Sequence, residues 1–161
     1  MPKAGINANR VASHLIVRLE ELTKIFNKKN TLFAPESAST FEPTKREANV
    51  PNVNTIPGTD VFYLDCRVLP CYNNEDVLKE ITRIVKGVEK QFKVKVKIEL
   101  EQCESSKPTD KKAPLVGAVI KAAKAVYKNQ PKAMGVGGGT VAAYLRNKGY
   151  SAVVFSKLDE P

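Results

Sequence analysis

One histidine, His14, stands in the whole 161-residue chain, and that scarcity excludes a good deal of chemistry. A serine or cysteine nucleophile needs a basic partner. His14 lies in a helix-like run beside Leu15, with no second histidine and no nearby carboxylate cluster. The chain therefore lacks a complete nucleophilic set, and it shows no recognisable metal-ligand spacing. Cysteine is equally sparse. Cys66, Cys71 and Cys103 are an odd set without C-x-x-C spacing, which argues against a disulfide framework or a zinc ribbon. That usage fits a reducing compartment, and a cytoplasmic location is expected. No apolar run approaches the roughly 20 residues of a membrane-spanning helix. No apolar stretch follows Met1-Pro2-Lys3-Ala4-Gly5, so no signal peptide is expected.

What is present points to a folded protein of one or two small domains. Hydrophobic residues make up 42% and charged residues 27% of the chain, the balance of a globular rather than a disordered sequence. The formal charge of +9 arises from 26 Lys and Arg against 17 Asp and Glu. The lysines are scattered (Lys79, Lys86, Lys90, Lys93, Lys95, Lys97), as on solvated faces of helices and strands. RNA recognition by a sheet needs aromatics at alternate positions. Phe62 and Tyr63 are adjacent and point to opposite faces, so no nucleic-acid partner is expected.

Asn7 caps a helix that the spacing extends to about Lys28, with Val11, Leu15, Leu19, Leu22 and Phe26 on one apolar stripe. Thr40–Val50 reads as extended, and Asn49–Gly58, with Pro51 and Pro57, as a loop with a turn. Asp60–Leu69 alternates as a strand: Phe62, Leu64, Cys66 and Val68 share one face, and Val61, Tyr63, Asp65 and Arg67 share the other. Asn73 or Asn74 caps a second helix that buries Val77, Ile81, Ile84, Val88 and Phe92. Lys93–Leu100 alternates most cleanly of all, with Val94, Val96, Ile98 and Leu100 inward. This order predicts an α+β unit with helices on one face of a sheet. One further strand ahead of the first helix would complete a ferredoxin-like unit. The exposed edge left without it predicts self-association.

Glu104–Lys112 reads as a linker, and the pattern then becomes α/β. Pro114 opens a helix with Leu115, Val119, Ala123 and Val126 or Tyr127 as its stripe. Ala133–Val136 and Ala152–Phe155 read as strands, the latter apolar enough to be buried on both faces. Between them, Gly137, Gly138, Gly139 and Thr140 lead into a short helix over Val141–Lys148. Glycines let the backbone approach a ligand, and the free N–H groups of a helix start favour an anion. The Walker lysine and the last glycine of the dinucleotide fingerprint are both missing. Either an anion-holding loop or a tight strand-to-helix turn fits. Arg67 could grip a carboxylate, although its spacing alone favours a surface ion pair with Asp65 or a cross-strand neighbour. Asn54, in the proline-bounded loop, could equally stabilise its own turn.

Four stretches occur in a telling order. They are Ser39-Thr40-Phe41-Glu42-Pro43-Thr44-Lys45, Asn52-Val53-Asn54-Thr55-Ile56-Pro57-Gly58, Asp65-Cys66-Arg67 with Pro70, and Gly137-Gly138-Gly139-Thr140. Together they resemble the family of two-zinc exopeptidases and deacylases, whose members include succinyl-diaminopimelate desuccinylase, acetylornithine deacetylase, aminoacylase and carboxypeptidase G. The resemblance implies a ferredoxin-like lid, or dimerisation, domain over residues 1–107, lacking its first strand. Residues 108–161 would then be a segment of the catalytic domain. It implies hydrolysis of an amide in an N-acyl amino acid or small peptide, in which two zinc ions (cobalt being the alternative metal) acidify a water and a glutamate accepts its proton. Asn54 and Arg67 would position the substrate, Arg67 by pairing with its carboxylate. Gly137, Gly138, Gly139 and Thr140 would hold its anionic end. The lid would form a homodimer.

The family's metal ligands and general-base glutamate precede the lid. A lid histidine precedes the Met1-Pro2 position, and a last ligand histidine follows a stretch like Leu158-Asp159-Glu160. The chain is thus expected to be a portion of such an enzyme, inactive alone, with no catalytic or metal-ligating residue of its own. A non-catalytic dimerisation or binding module is the alternative.

Overall fold

In the computed structural model, which describes residues 5–34, 37–127 and 131–156, the chain divides into two units. The first comprises Met1–Lys29 and Ala38–Gln102, and the second Asn30–Ser37 and Cys103–Pro161.

In the first unit, Asn7 Oδ1 accepts a hydrogen bond from Arg10 N at 3.1 Å and so opens α1, Ala8–Leu19. The expected single helix is interrupted at Glu20, and α2 follows over Glu21–Ile25. Glu20 keeps helical angles (φ −58°, ψ −21°), so the apolar stripe runs through the break. Val11, Leu15, Leu19, Leu22 and Phe26 are all buried. Asn73 caps α3, Asn74–Phe92, by accepting from Glu75 N at 3.0 Å. Glu75 and Asp76 in its first turn complement the positive end of the helix dipole. Val77, Ile84, Val85 and Val88 of α3 complete the core with Phe41.

Two antiparallel strands lie against these helices, β1 over Thr40–Arg46 and β2 over Phe62–Arg67. Phe62, Leu64 and Cys66 pack on the core, the face that the alternation predicts. Pro43 has no N–H to donate, and the register slips between Pro43 and Lys45, as a proline on an edge strand allows. The result is a mixed α+β unit.

Lys93–Leu100 corrects the sequence reading: it forms no strand. Lys93 adopts the left-handed conformation (φ 55°) that closes α3. Val94 N then donates to Glu89 O at 3.3 Å, and Val96 N to Glu89 Oε1 at 2.8 Å. Val94 and Val96 pack on the core, but Ile98 and Leu100 are exposed. Alternation marks the face that an extended segment would bury; a strand also needs a hydrogen-bonded neighbour. The sheet among the described residues contains only β1 and β2.

The second unit holds α4, Pro114–Tyr127, and α5, Val141–Asn147. α4 begins at Pro114 as expected, but its buried residues are Val116 and Ala123. Val126 and Tyr127, placed on the stripe by spacing, are exposed. Gly149 follows α5 with φ +87°, a conformation that suits glycine after a helix. Ala133–Val136 and Ala152–Phe155 form no strands either. Ala152 is buried, while Val154 and Phe155 are exposed, so the last run is not covered on both faces. Ala152 O instead accepts from Thr109 Oγ1 at 2.7 Å and Arg146 Nη1 at 3.1 Å. No described helix is long and apolar enough to cross a membrane.

Candidate functional site

The period-2 geometry of β2 puts Tyr63, Asp65 and Arg67 on the face opposite the core. Asp65 stands across from Glu42, and like charges directly opposite repel. Arg67 Nε relieves this by donating to Asp65 Oδ2 at 2.7 Å. The ion pair is roughly half-exposed, with side-chain accessibilities of 52% and 44%, so it contributes only about 0–1 kcal/mol. At the other end of β2, the Lys45 ammonium lies 4.9 Å from the Tyr63 ring centre and 2.7 Å from Glu47 Oε1. Hydrogen bonds from Lys45 and Tyr63 hold the Glu47 carboxyl below its ordinary range, and the Glu47 contact raises Lys45.

Asn54 is exposed in the β1–β2 connection, beside a turn in which Thr55 N donates to Asn52 O at 3.3 Å. Arg67 ends β2, whereas the connection enters that strand at Phe62. The strand thus separates Arg67 from the base of the Asn54 loop by about 17 Å. The base of the connection is built by residues that periodicity did not single out. Arg46 Nε lies 3.0 Å from Asp60 Oδ1, Asn49 Nδ2 donates to Asp60 Oδ2 at 2.7 Å, and the Asp60 side chain is only 2% accessible. Partners fourteen and eleven positions apart leave no periodic signal.

In the second unit, Gly137, Gly138 and Gly139 are exposed and Thr140 is half-buried. Thr140 is the N-cap of α5 without a side-chain capping bond, and its carbonyl accepts from Ala143 N at 2.9 Å. α5 has only seven residues. A Cβ added at Gly137 would meet nothing within 4 Å. Gly135, two residues earlier, is under steric demand: a Cβ there would lie 2.4 Å from Phe33 Cδ1. Its N–H donates to Leu32 O at 2.6 Å, within the short 3₁₀ turn Thr31–Phe33. Asn54 and Arg67 thus belong to one unit and Gly137–Thr140 to the other.

His14 lies on the exposed side of α1, its ring 5.0 Å from that of Phe92. Cys66 faces the core, where burial, aided by the Asp65 charge, pushes its thiol up to about 11. Among the described residues, no group of three or more His, Cys, Asp or Glu side chains could hold a metal ion, so a zinc or cobalt centre does not fit among them. Met1-Pro2 and Leu158-Asp159-Glu160 lie outside the described residues.

Residues 1–93 match the peptidase dimerisation domain. An uncharacterized metallohydrolase of Methanocaldococcus jannaschii is 38% identical over 169 residues, covering 99% of this chain and 41% of that protein. An uncharacterized metallohydrolase of Methanococcus maripaludis is 32% identical over 174 residues, covering 99% of this chain and 42% of that protein. The chain spans about two fifths of the length of these relatives. No solved structure gives a significant match. The chain belongs to the M20 peptidase family, whose dimerisation domain occupies most of the first unit.

Proposed function

We propose that this chain is part of a zinc-dependent hydrolase acting on the amide or peptide bond of an N-acyl amino acid or small peptide, of the desuccinylase, deacetylase or carboxypeptidase kind. In this reading the chain supplies a homodimer contact and substrate-positioning groups, and the metal ligands come from outside it. Membership of a peptidase family and the two metallohydrolase relatives support it. The observation that carries it is Arg67, an exposed guanidinium at the end of β2 with the fork geometry that pairs with a carboxylate. Asn54 would offer its amide to the same substrate, and Gly137, Gly138, Gly139 and Thr140 would receive the anionic end. No nucleic acid or membrane partner enters this reading. A cytoplasmic location is part of it, supported by the three cysteines, none of which forms a disulfide.

The test grafts this chain in place of the matching segment of the Methanocaldococcus jannaschii relative. Release of free amine from N-acetyl- and N-succinyl-amino acids is then measured with zinc. The hybrid is expected to turn over and this chain alone is not. Arg67→Ala in the hybrid should raise KM about 10- to 100-fold, as for a lost charge-assisted hydrogen bond. Robust zinc-dependent hydrolysis by this chain alone would overturn the division of labour. An inactive hybrid whose graft still dimerises would favour a non-catalytic dimerisation module.

A further inference from the structure

The β1–β2 connection combines a buried base with an exposed tip. At the base, Glu47 N donates to Val61 O at 2.9 Å, one step beyond the strand pair. The nearly inaccessible Asp60 carboxylate then gathers four contacts from Arg46 and Asn49. Arg46 Nε reaches Oδ1 at 3.0 Å and Oδ2 at 3.2 Å, Arg46 Nη2 reaches Oδ2 at 3.0 Å, and Asn49 Nδ2 reaches Oδ2 at 2.7 Å. The same Arg46 Nη2 donates to Asn9 O and Asn9 Oδ1, both at 2.9 Å. Ala8 N donates to Pro57 O at 3.0 Å. The connection is thus tied across its own neck and also to the first turn of α1. At its tip Val53 is fully exposed, and Asn54 beside it is exposed too.

A surface loop that served only to join two strands would not need an inaccessible carboxylate held by a forked arginine and a third partner. Such pairs contribute little to stability compared with an apolar pair, and they specify geometry through their fixed hydrogen-bond directions. We infer that Arg46, Asp60 and Asn49 form a clamp that fixes the loop at its neck and so presents Asn54 in one orientation to the substrate. These are positioning residues that act through Asn54, and the inference rests on the substrate-positioning role proposed above for that side chain.

The test reads the loop directly. Backbone ¹⁵N relaxation is recorded for the full chain as wild type, Asp60→Asn, Asn49→Ala and a control, Glu80→Gln, which alters an exposed pair with Arg83 on α3. In Asp60→Asn, order parameters at Val53, Asn54 and Thr55 should fall from about 0.85 to below about 0.6, while amides of α1 and α3 keep theirs. Asn49→Ala removes one leg without stranding the Arg46 charge, so it should give a smaller loss in the same three residues even if Asp60→Asn does not fold. Glu80→Gln should change nothing in the loop. Unchanged loop order in Asn49→Ala, or a loss spread equally through α1 and α3, would overturn the clamp.

A second readout uses the hybrid enzyme. Asn49→Ala should raise KM with little change in kcat, and in an Asn54→Ala background it should give no further rise, as for a residue acting through that one contact. Additive effects would overturn the clamp. The relaxation experiment needs no substrate. If the loop loosens while Asn54→Ala leaves KM unchanged, the substrate role of Asn54 fails and the neck clamp stands only as a structural tie.

Discussion

Leu22→Ala is expected to remove about 2–5 kcal/mol of stability, a large share of the roughly 5–15 kcal/mol that holds a typical domain together. Leu22 has no accessible surface. It sits on α2, a helix of five residues that is too short to be stable in isolation and so depends on what it packs against. α2 contacts both α3 and β1, and Leu22 belongs to the same cluster as Val88, Phe26 and Phe41. Truncation leaves a cavity bounded by three elements, and collapse of any one would disturb the other two. The Phe26 ring, which packs on Phe41 at 5.7 Å and edge-on to Tyr72 at 5.0 Å, is anchored one turn away, where Phe26 N donates to Leu22 O at 2.8 Å. It therefore cannot easily drop into the space. Urea denaturation followed by far-UV circular dichroism checks this. The midpoint should fall with an unchanged slope, whereas Val17→Ala, at 63% exposure on α1, should move stability by no more than about 0.5 kcal/mol. Equal losses in both variants would contradict the packing described.

Gly135→Ala should cost about 1–3 kcal/mol through overpacking. The added carbon would lie 2.4, 2.5 and 2.8 Å from Phe33 Cδ1, Cε1 and Cγ. Those atoms belong to the root of a rigid ring, so relief requires moving the whole side chain. The backbone at Gly135 cannot retreat freely, because its N–H is bonded to Leu32 O at 2.6 Å. Gly137→Ala, with open space around it, should change thermal stability by no more than about 0.5 kcal/mol. Thermal melts of the two variants decide the matter. A Gly137 variant that melts lower than the Gly135 variant would contradict the steric contrast between these two positions.

The contrast between those two glycines shows how far a sequence can be read. A run of glycines draws attention as a composition signal, but steric necessity depends on which distant ring lies overhead. Phe33 is far from Gly135 in sequence. The helices are legible because burial repeats every three to four residues: the stripe from Val11 to Phe26 and Val77, Ile84 and Val88 of α3 are buried as the spacing predicts, and Ile81 and Phe92 are partly buried against them. Val85 escaped because it widens that stripe by one position. The alternation of β2 was legible for the same reason. Lys93–Leu100 alternates just as well, yet it lacks a ladder partner among the described residues. Alternation records a face and says nothing of a neighbour. The site residues Asn54 and Arg67 were named by resemblance. The Asp65 partner of Arg67 is legible from its two-residue spacing on one strand face, whereas Asp60 beneath the loop depends on strand register and loop closure, which no local pattern encodes.

The inward-facing thiol on β2 has a practical consequence for chemical modification. With its pKa raised to about 11, Cys66 at pH 8 is about one part in a thousand thiolate, the species that alkylating reagents attack. Cys71 and Cys103 are exposed and should take up iodoacetamide first. Mass spectrometry of timed aliquots would then show a delayed third adduct, and its rate would report how often the inner face of the sheet opens to solvent. Such a reporter is built into the chain and needs no engineered probe.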